Sequence, residues 1–278
     1  MVFMLGLTGS FPGAAAMAPE TLNVGRLPEW EVTNSSYGSK LLLSDSPEMV
    51  DADGILYQDQ VAGDIRLFFY HVNATRTAKL FDVVVENEGS EAAQVTVRQY
   101  GLGGPGYIWM AVGKEAMASY LAGGQQYQFS VPARETRSLA ADISDTAVLP
   151  NMLINGIYDF TVDQPVTVKV VMMPLLADGG EFSRTAAVLP ADKYHLRGTF
   201  KGADRQLVPL QVFDAAHDWP VAITLADNMV DPYLTGIDAT DGSEVVNYGN
   251  YGVVYHIFLP SQNGRTAYYL SPRGGDYA

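Results

Sequence analysis

Residues 80–100, LFDVVVENEGSEAAQVTVRQY, alternate apolar and polar positions on both sides of an acidic stretch. Val83, Val85, Val95 and Val97 fall on one face, and Asp82, Glu86, Thr96 and Arg98 fall on the other. A period of two is that of a half-buried strand, so the segment predicts an antiparallel hairpin turning at 86–91, with Asp82 in water. Similar alternation predicts strands at 54–58, 65–73 and 126–131. Strands at 151–162 and 165–173 read as a second hairpin around Asp163-Gln164. The run VTVKVVMM alternates less cleanly, as a strand covered on both faces does. Beyond the breaker Asp178-Gly179-Gly180 come strands at 194–200, 207–213, 221–225, 251–259 and 266–270. One helix stands out at 112–122, where Val112, Ala116, Tyr120 and Leu121 share a face. Glycines 101–106 suit a wide turn or bulge between strand and helix.

This pattern predicts an all-β fold: an antiparallel β-sandwich, Ig-like or jelly-roll-like, in two β-rich lobes with one short helix near 112–122. The expected divisions are an apolar N-terminal segment at 1–18, a polar leader at 19–44 and a β-sandwich domain at 45–175. A connector at 176–192 leads to a second β-rich domain at 193–278, which ends without a closing strand.

Residues 1–7 are apolar, and Ala16-Met17-Ala18 has the small-x-small form of a signal-peptidase site, although no Lys or Arg precedes the apolar run. This points to export and an extracellular or cell-envelope location; the other reading is an N-terminal strand or arm. No segment reaches the ~18 apolar residues of a spanning helix. The chain has 31 acidic and 17 basic residues, a formal charge of −14. Such a field opposes nucleic acid and anionic lipid, so neither is expected as a partner. The absence of cysteine excludes disulfides, thiolate metal sites and cysteine nucleophiles.

Candidate chemistry is sparse. The 101–106 run lacks the Lys-Ser/Thr of a phosphate loop, and neither HExxH nor Gly-x-Ser-x-Gly occurs. Asp51 and Asp53, and likewise Asp238 and Asp241, place closely spaced carboxylates before a glycine, as calcium loops do and as ordinary tight turns also do. Four scattered histidines form no recognisable metal motif. Tyr248 and Tyr251, on a glycine-rich loop, and Trp219 are candidates for stacking on sugar rings. A carboxylate pair for glycoside hydrolysis is a further option among so many acidic residues.

The phrases Asp45-Ser46-Pro47-Glu48, Gly54-Ile55-Leu56-Tyr57, Arg66-Leu67-Phe68, Tyr70-His71-Val72-Asn73, the glycines of 101–106, Val112-Gly113-Lys114, Arg197-Gly198-Thr199-Phe200 and Gly249-Asn250-Tyr251-Gly252-Val253 occur together in this chain. Over most of 40–278 it resembles a group of exported bacterial proteins of unknown function, some labelled copper amine oxidase-like after a neighbouring small domain. The resemblance implies a secreted, envelope-associated β-rich protein and lends no support to amine oxidase chemistry. The leading expectation is a non-enzymatic secreted or cell-surface structural protein, self-associating or joining other envelope proteins by strand exchange into filaments or a surface layer. The alternatives are a carbohydrate-binding module with a polysaccharide partner, and a glycosidase or metal-dependent hydrolase.

Overall fold

The computed structural model describes residues 2–8 and 23–272. Ala16-Met17-Ala18 and the stretch 274–278 lie outside them. In chain order the strands are β1 (Val2–Thr8), β2 (Val32–Tyr37), β3 (Lys40–Ser44), β4 (Met49–Val50), β5 (Gly54–Asn73), β6 (Lys79–Glu86), β7 (Ala93–Gly106), β8 (Tyr127–Val131), β9 (Thr136–Ser138) and β10 (Leu153–Pro174). They continue as β11 (Arg197–Lys201), β12 (Asp204–Pro209), β13 (Phe213–Asp214), β14 (Val221–Thr224), β15 (Thr235–Ile237), β16 (Glu244–Val246), β17 (Val254–Ile257), β18 (Ser261–Gln262) and β19 (Arg265–Ser271). The helices are α1 (Trp109–Ala122), α2 (Ala141–Ser144) and α3 (Gly179–Thr185). The fold is all-β with short helices, as the alternation predicts. No helix among the described residues is long and apolar enough to cross a membrane.

The described residues form two compact units. The larger comprises 38–203 and 234–252, and the smaller comprises 2–8, 23–37, 204–233 and 253–272. Residues 197–201, expected in a second lobe, supply β11 to the large sheet, and 234–252 supply β15 and β16.

The larger unit is built on one 11-stranded sheet. Its axis is the antiparallel ribbon of β5 and β10, paired from Leu153 opposite Val72 to Met172 opposite Gly54. Along β10 the even positions Ile154, Tyr158, Phe160, Val162, Val166, Val168, Val170 and Met172 all enter one core. The odd positions Val171 and Met173 enter a second cluster with Phe182 of α3. Leu153 joins a third with Val112 of α1. Both faces are thus covered, which explains the imperfect alternation of VTVKVVMM. Most ladders are antiparallel, but β3 and β4 run parallel to β5.

Two expected hairpins are replaced by longer-range pairing. Val83, Val85, Val95 and Val97 do share one core, but β6 and β7 do not pair with each other. Both line the same edge of β10, Val83 opposite Val170 and Val97 opposite Phe160. The segment between them is pinned elsewhere, because Asn87 Nδ2 donates to the carbonyls of Glu91 and Val131 at 2.7 and 2.9 Å. Likewise 151–162 and 165–173 are a single strand. Asp163, Gln164 and Pro165 bulge out between Val162 and Val166, so the parity of the core positions survives. Strands 54–58 and 65–73 also merge into β5.

Helix α1 lies directly on β7. A Cβ on Gly101 would stand 2.1 Å from the Ala116 carbonyl oxygen, and one on Gly103 would stand 2.0 Å from that of Val112. The glycine run is therefore a seat for the helix. Val112, Ala116 and Tyr120 are buried as expected, whereas Leu121 is exposed because it points off that seat. Under α1, Arg66 grips Asp159 with two hydrogen bonds of 2.7 and 2.9 Å, and the Tyr120 hydroxyl donates to the same carboxylate at 2.8 Å. A buried charge paired this way is satisfied in full.

Asp82, expected in water, is 4% exposed. Packing against β9 turns it inward, where the Ser138 hydroxyl and the Val83 amide donate to Oδ1 at 2.6 and 2.7 Å. It lines a cleft of about 310 Å³ with Asp145 and Asp178. Burial, opposed by those two hydrogen bonds and aided by Asp145 and Asp178, pushes its carboxyl up to about 6. A carboxyl raised by folding contributes stability that is present at low pH and is lost as pH rises through about 6. Asp82→Asn keeps the acceptor oxygen and removes the charge. The variant should exceed the parent in stability by about 1–3 kcal/mol at neutral pH, with the gap closing near pH 4. Urea unfolding across that range measures it; a pH-independent gap would contradict this account.

Candidate functional site

The smaller unit carries a cleft of about 390 Å³. Trp30 forms its buried base and meets Phe213 edge-on, with ring centroids 6.0 Å apart. Three apolar side chains stand around it in solvent: Leu210 at 60% exposure, Val212 at 49% and Trp219 at 79%. Such a cluster on a protein surface marks a contact site more often than scattered single residues do. Polar groups converge on the same opening. Glu29 is engaged, accepting from the Thr224 amide and hydroxyl at 2.6 and 2.7 Å. Asp218 accepts from the Asp214 amide at 2.7 Å. The Glu31 carbonyl accepts from the Leu210 amide at 3.0 Å, but its carboxylate has no hydrogen bond or ion pair among the described residues and is free to accept one from a ligand. A flat indole beside carboxylate acceptors matches the two needs of a sugar, an apolar ring face and a rim of hydroxyl donors. Of these residues only Trp219 is a candidate from the sequence. Glu31, Leu210 and Val212 carry no local signal, because the cleft joins segments far apart in the chain.

Tyr248 and Tyr251 belong to the larger unit. Their loop is held by Asn247, whose Nδ2 donates to the Tyr251 carbonyl at 2.8 Å and whose Oδ1 accepts from the Tyr251 amide at 2.8 Å. Asn250 Oδ1 accepts from the Leu234 amide at 2.9 Å. The fixed backbone leaves both rings about half exposed, Tyr248 at 56% and Tyr251 at 47%. Tyr251 lies near Tyr70, whose hydroxyl is pushed up to about 12 by burial first, then by Glu48, Asp45 and Tyr251.

The four candidate calcium residues are not brought together. Asp51 is exposed, and Asp53 receives Lys79 Nζ at 2.8 Å. Asp238 and Asp241 approach His195 closely enough to share an ion. Asp238 is fully buried, however, and its acceptor positions are filled. Oδ1 takes the Thr240 amide and hydroxyl at 2.9 and 2.6 Å, and Oδ2 takes Arg197 Nε at 2.6 Å and His195 Nε2 at 2.8 Å. Burial works to raise this carboxyl, but the bonds from Thr240, Arg197 and His195 outweigh it and hold the group below its usual range. A cation here would have to displace a guanidinium that already neutralises the charge. His195 adopts φ +52°, fixed between this bond and a 3.2 Å bond from its amide to Asp192.

His71 sits beneath the same region, fully enclosed. Its Nδ1 donates to the Pro47 carbonyl at 2.9 Å, because that oxygen can only accept, and Nε2 therefore accepts from the Ser44 hydroxyl at 2.8 Å. Burial lowers its imidazole to about 4. A histidine depressed by folding contributes stability above its ordinary value that is lost as pH falls toward about 4. In a proton NMR titration the His71 ring resonances should stay at their neutral positions down to pH about 5; a midpoint above 6 would contradict the buried, neutral assignment.

Compared with protein families, with curated proteins and with solved structures, the chain shows no match.

Proposed function

We propose that the protein is an exported carbohydrate-binding protein, with a polysaccharide of the cell envelope or its surroundings as ligand. The observation that carries this reading is Trp219, 79% exposed at the mouth of a cleft that also presents Glu31 and Asp218. A tryptophan costs solvation when left in water, and in a sugar site that cost is recovered on stacking against a pyranose face. The acidic surface suits a neutral or cationic glycan over an anionic one. Affinity electrophoresis in gels cast with neutral, cationic and anionic polysaccharides tests this. Retardation by at least one neutral or cationic polymer is expected, with Trp219→Ala weakening it at least tenfold, about 1.4 kcal/mol. No retardation, or retardation indifferent to Trp219, would remove the reading.

The assembly reading also has an observation in its favour. β1 lies in the middle of a three-stranded sheet, with Val2–Leu5 paired to β14 and Val2–Thr8 paired to β19. An N-terminal strand in a central position can be exchanged between copies, since both edges it leaves offer unpaired backbone groups. Deleting residues 1–30 should abolish any concentration-dependent oligomers seen by light scattering. A monomeric parent whose stability survives the deletion would sink this second reading.

A further inference from the structure

Asp82 commits one carboxylate oxygen to the fold and leaves the other unused. Oδ1 takes the Ser138 hydroxyl and the Val83 amide, whereas Oδ2 has no hydrogen bond or ion pair among the described residues. Oδ2 is not enclosed either, and it is turned toward Gly179 in the wall of the cleft of about 310 Å³. A Cβ on Gly179 would stand 2.6 Å from Asp82 Oδ2 and 3.5 Å from Met173 Cε, and one on Gly180 would stand 2.1 Å from Thr136 Oγ1. Without side chains at 179 and 180, this segment approaches these groups and does not cover them.

No cation of the described residues pairs with that oxygen. Around Asp82, β9 carries Arg137, β10 carries Lys169 and α3 carries Arg184, and each is engaged elsewhere. Arg137 pairs with Glu135 at 2.9 Å, and Lys169 and Arg184 pair with Glu86 at 2.6 and 3.4 Å. The other charged groups on these elements are acids. Asp142 of α2 accepts from the Tyr100 hydroxyl at 2.8 Å, and Glu181 lies on α3. Asp145 and Asp178 line the cleft and are exposed, so carboxylates stand both at its buried wall and at its mouth. Leu80, Val84 and Met173 supply buried apolar lining. Asp82, Asp145 and Asp178 do not bring ligand atoms close enough together to share a metal ion. Acids spread along an apolar wall, too far apart for a single ion, match an extended organic cation.

We propose that this cleft binds an aliphatic diamine, with one ammonium on Asp82 Oδ2 and the other at the exposed carboxylates of Asp145 and Asp178. The methylene chain lies against Leu80 and Met173. An ammonium supplies both the N–H donors and the charge that Oδ2 lacks. The exposed acids draw a dication to the mouth. The site also accounts for an acid that works against the fold. Burial without a countercharge makes ionised Asp82 costly, and a bound cation offsets that cost.

Isothermal titration calorimetry of the full-length protein with diaminobutane tests this, with butylamine and butanediol for comparison. At pH about 7.5 the diamine should bind at a single saturable site, butylamine more weakly and the diol not at all. Because burial raises Asp82 to about 6, lowering the pH to about 5 returns its proton while the alkylammonium groups keep theirs. Diamine affinity should fall at least tenfold over that range. Asp82→Asn, which gains stability at neutral pH, and Gly179→Ala, which covers Oδ2, should each weaken binding at least tenfold. Arg137→Gln removes a competing cation and should leave binding equal or tighter. Trp219→Ala, in the smaller unit, should leave it unchanged, which keeps the result independent of the carbohydrate reading. Should Gly179→Ala fail to fold, Asp82→Asn carries the same test. Loose attraction of a dication to the acidic surface would persist in Asp82→Asn. Absence of saturable binding, a diol that binds as well as the diamine, or binding that survives either Asp82→Asn or the change of pH would overturn the proposal.

Discussion

The antiparallel contact between β5 and β10 organises the larger unit. Two strands of 20 and 22 residues are far longer than usual, and a flat ribbon of that length would leave one face to solvent. The bulge at Asp163-Gln164-Pro165 lets the ribbon bend without changing which side chains face inward. One strand therefore contributes to three separate apolar clusters and links them covalently. β6 and β7 each take part of one edge of β10, which is long enough to pair with both. The helices then cover whatever outward apolar positions remain, α1 at one end and α3 at the other.

How well the sequence could be read follows from this arrangement. Alternation identified the valines of β6 and β7 as core, and the 3.6-residue spacing of Val112, Ala116 and Tyr120 located α1. Both signals are local, and side-chain parity depends only on neighbouring residues. Pairing partners are not local. The hairpin expected at 80–100 is a sound inference when no better edge exists, but β10 lies far downstream and offers a better one to both strands. Asp82 shows the same limit, since its partner strand β9 is invisible from its own surroundings.

The candidate sites divide along the same line. Trp219 is legible as an aromatic residue amid polar neighbours, whereas Glu31 and Leu210 become its neighbours only through the pairing of β2 with β12. Asp238 and Asp241 look like a cation loop in sequence; the structure fills that loop with Arg197 and His195.

The ladder between β3 and β11 has a kinetic consequence as well. It ends with Lys40 opposite Lys201, and the Ala203 amide donates to the Ser39 carbonyl at 2.8 Å. The next pair along the two chains, Tyr37 opposite Asp204, already belongs to β2 and β12 of the smaller unit. Closing the ladder brings residues 40 and 201 together across most of the length of the larger unit. The entropy of closing that long loop is lost once, when the large sheet forms, and is not lost again when β2 meets β12. A ladder closed over so long a stretch of chain is the kind of non-local contact that slows folding.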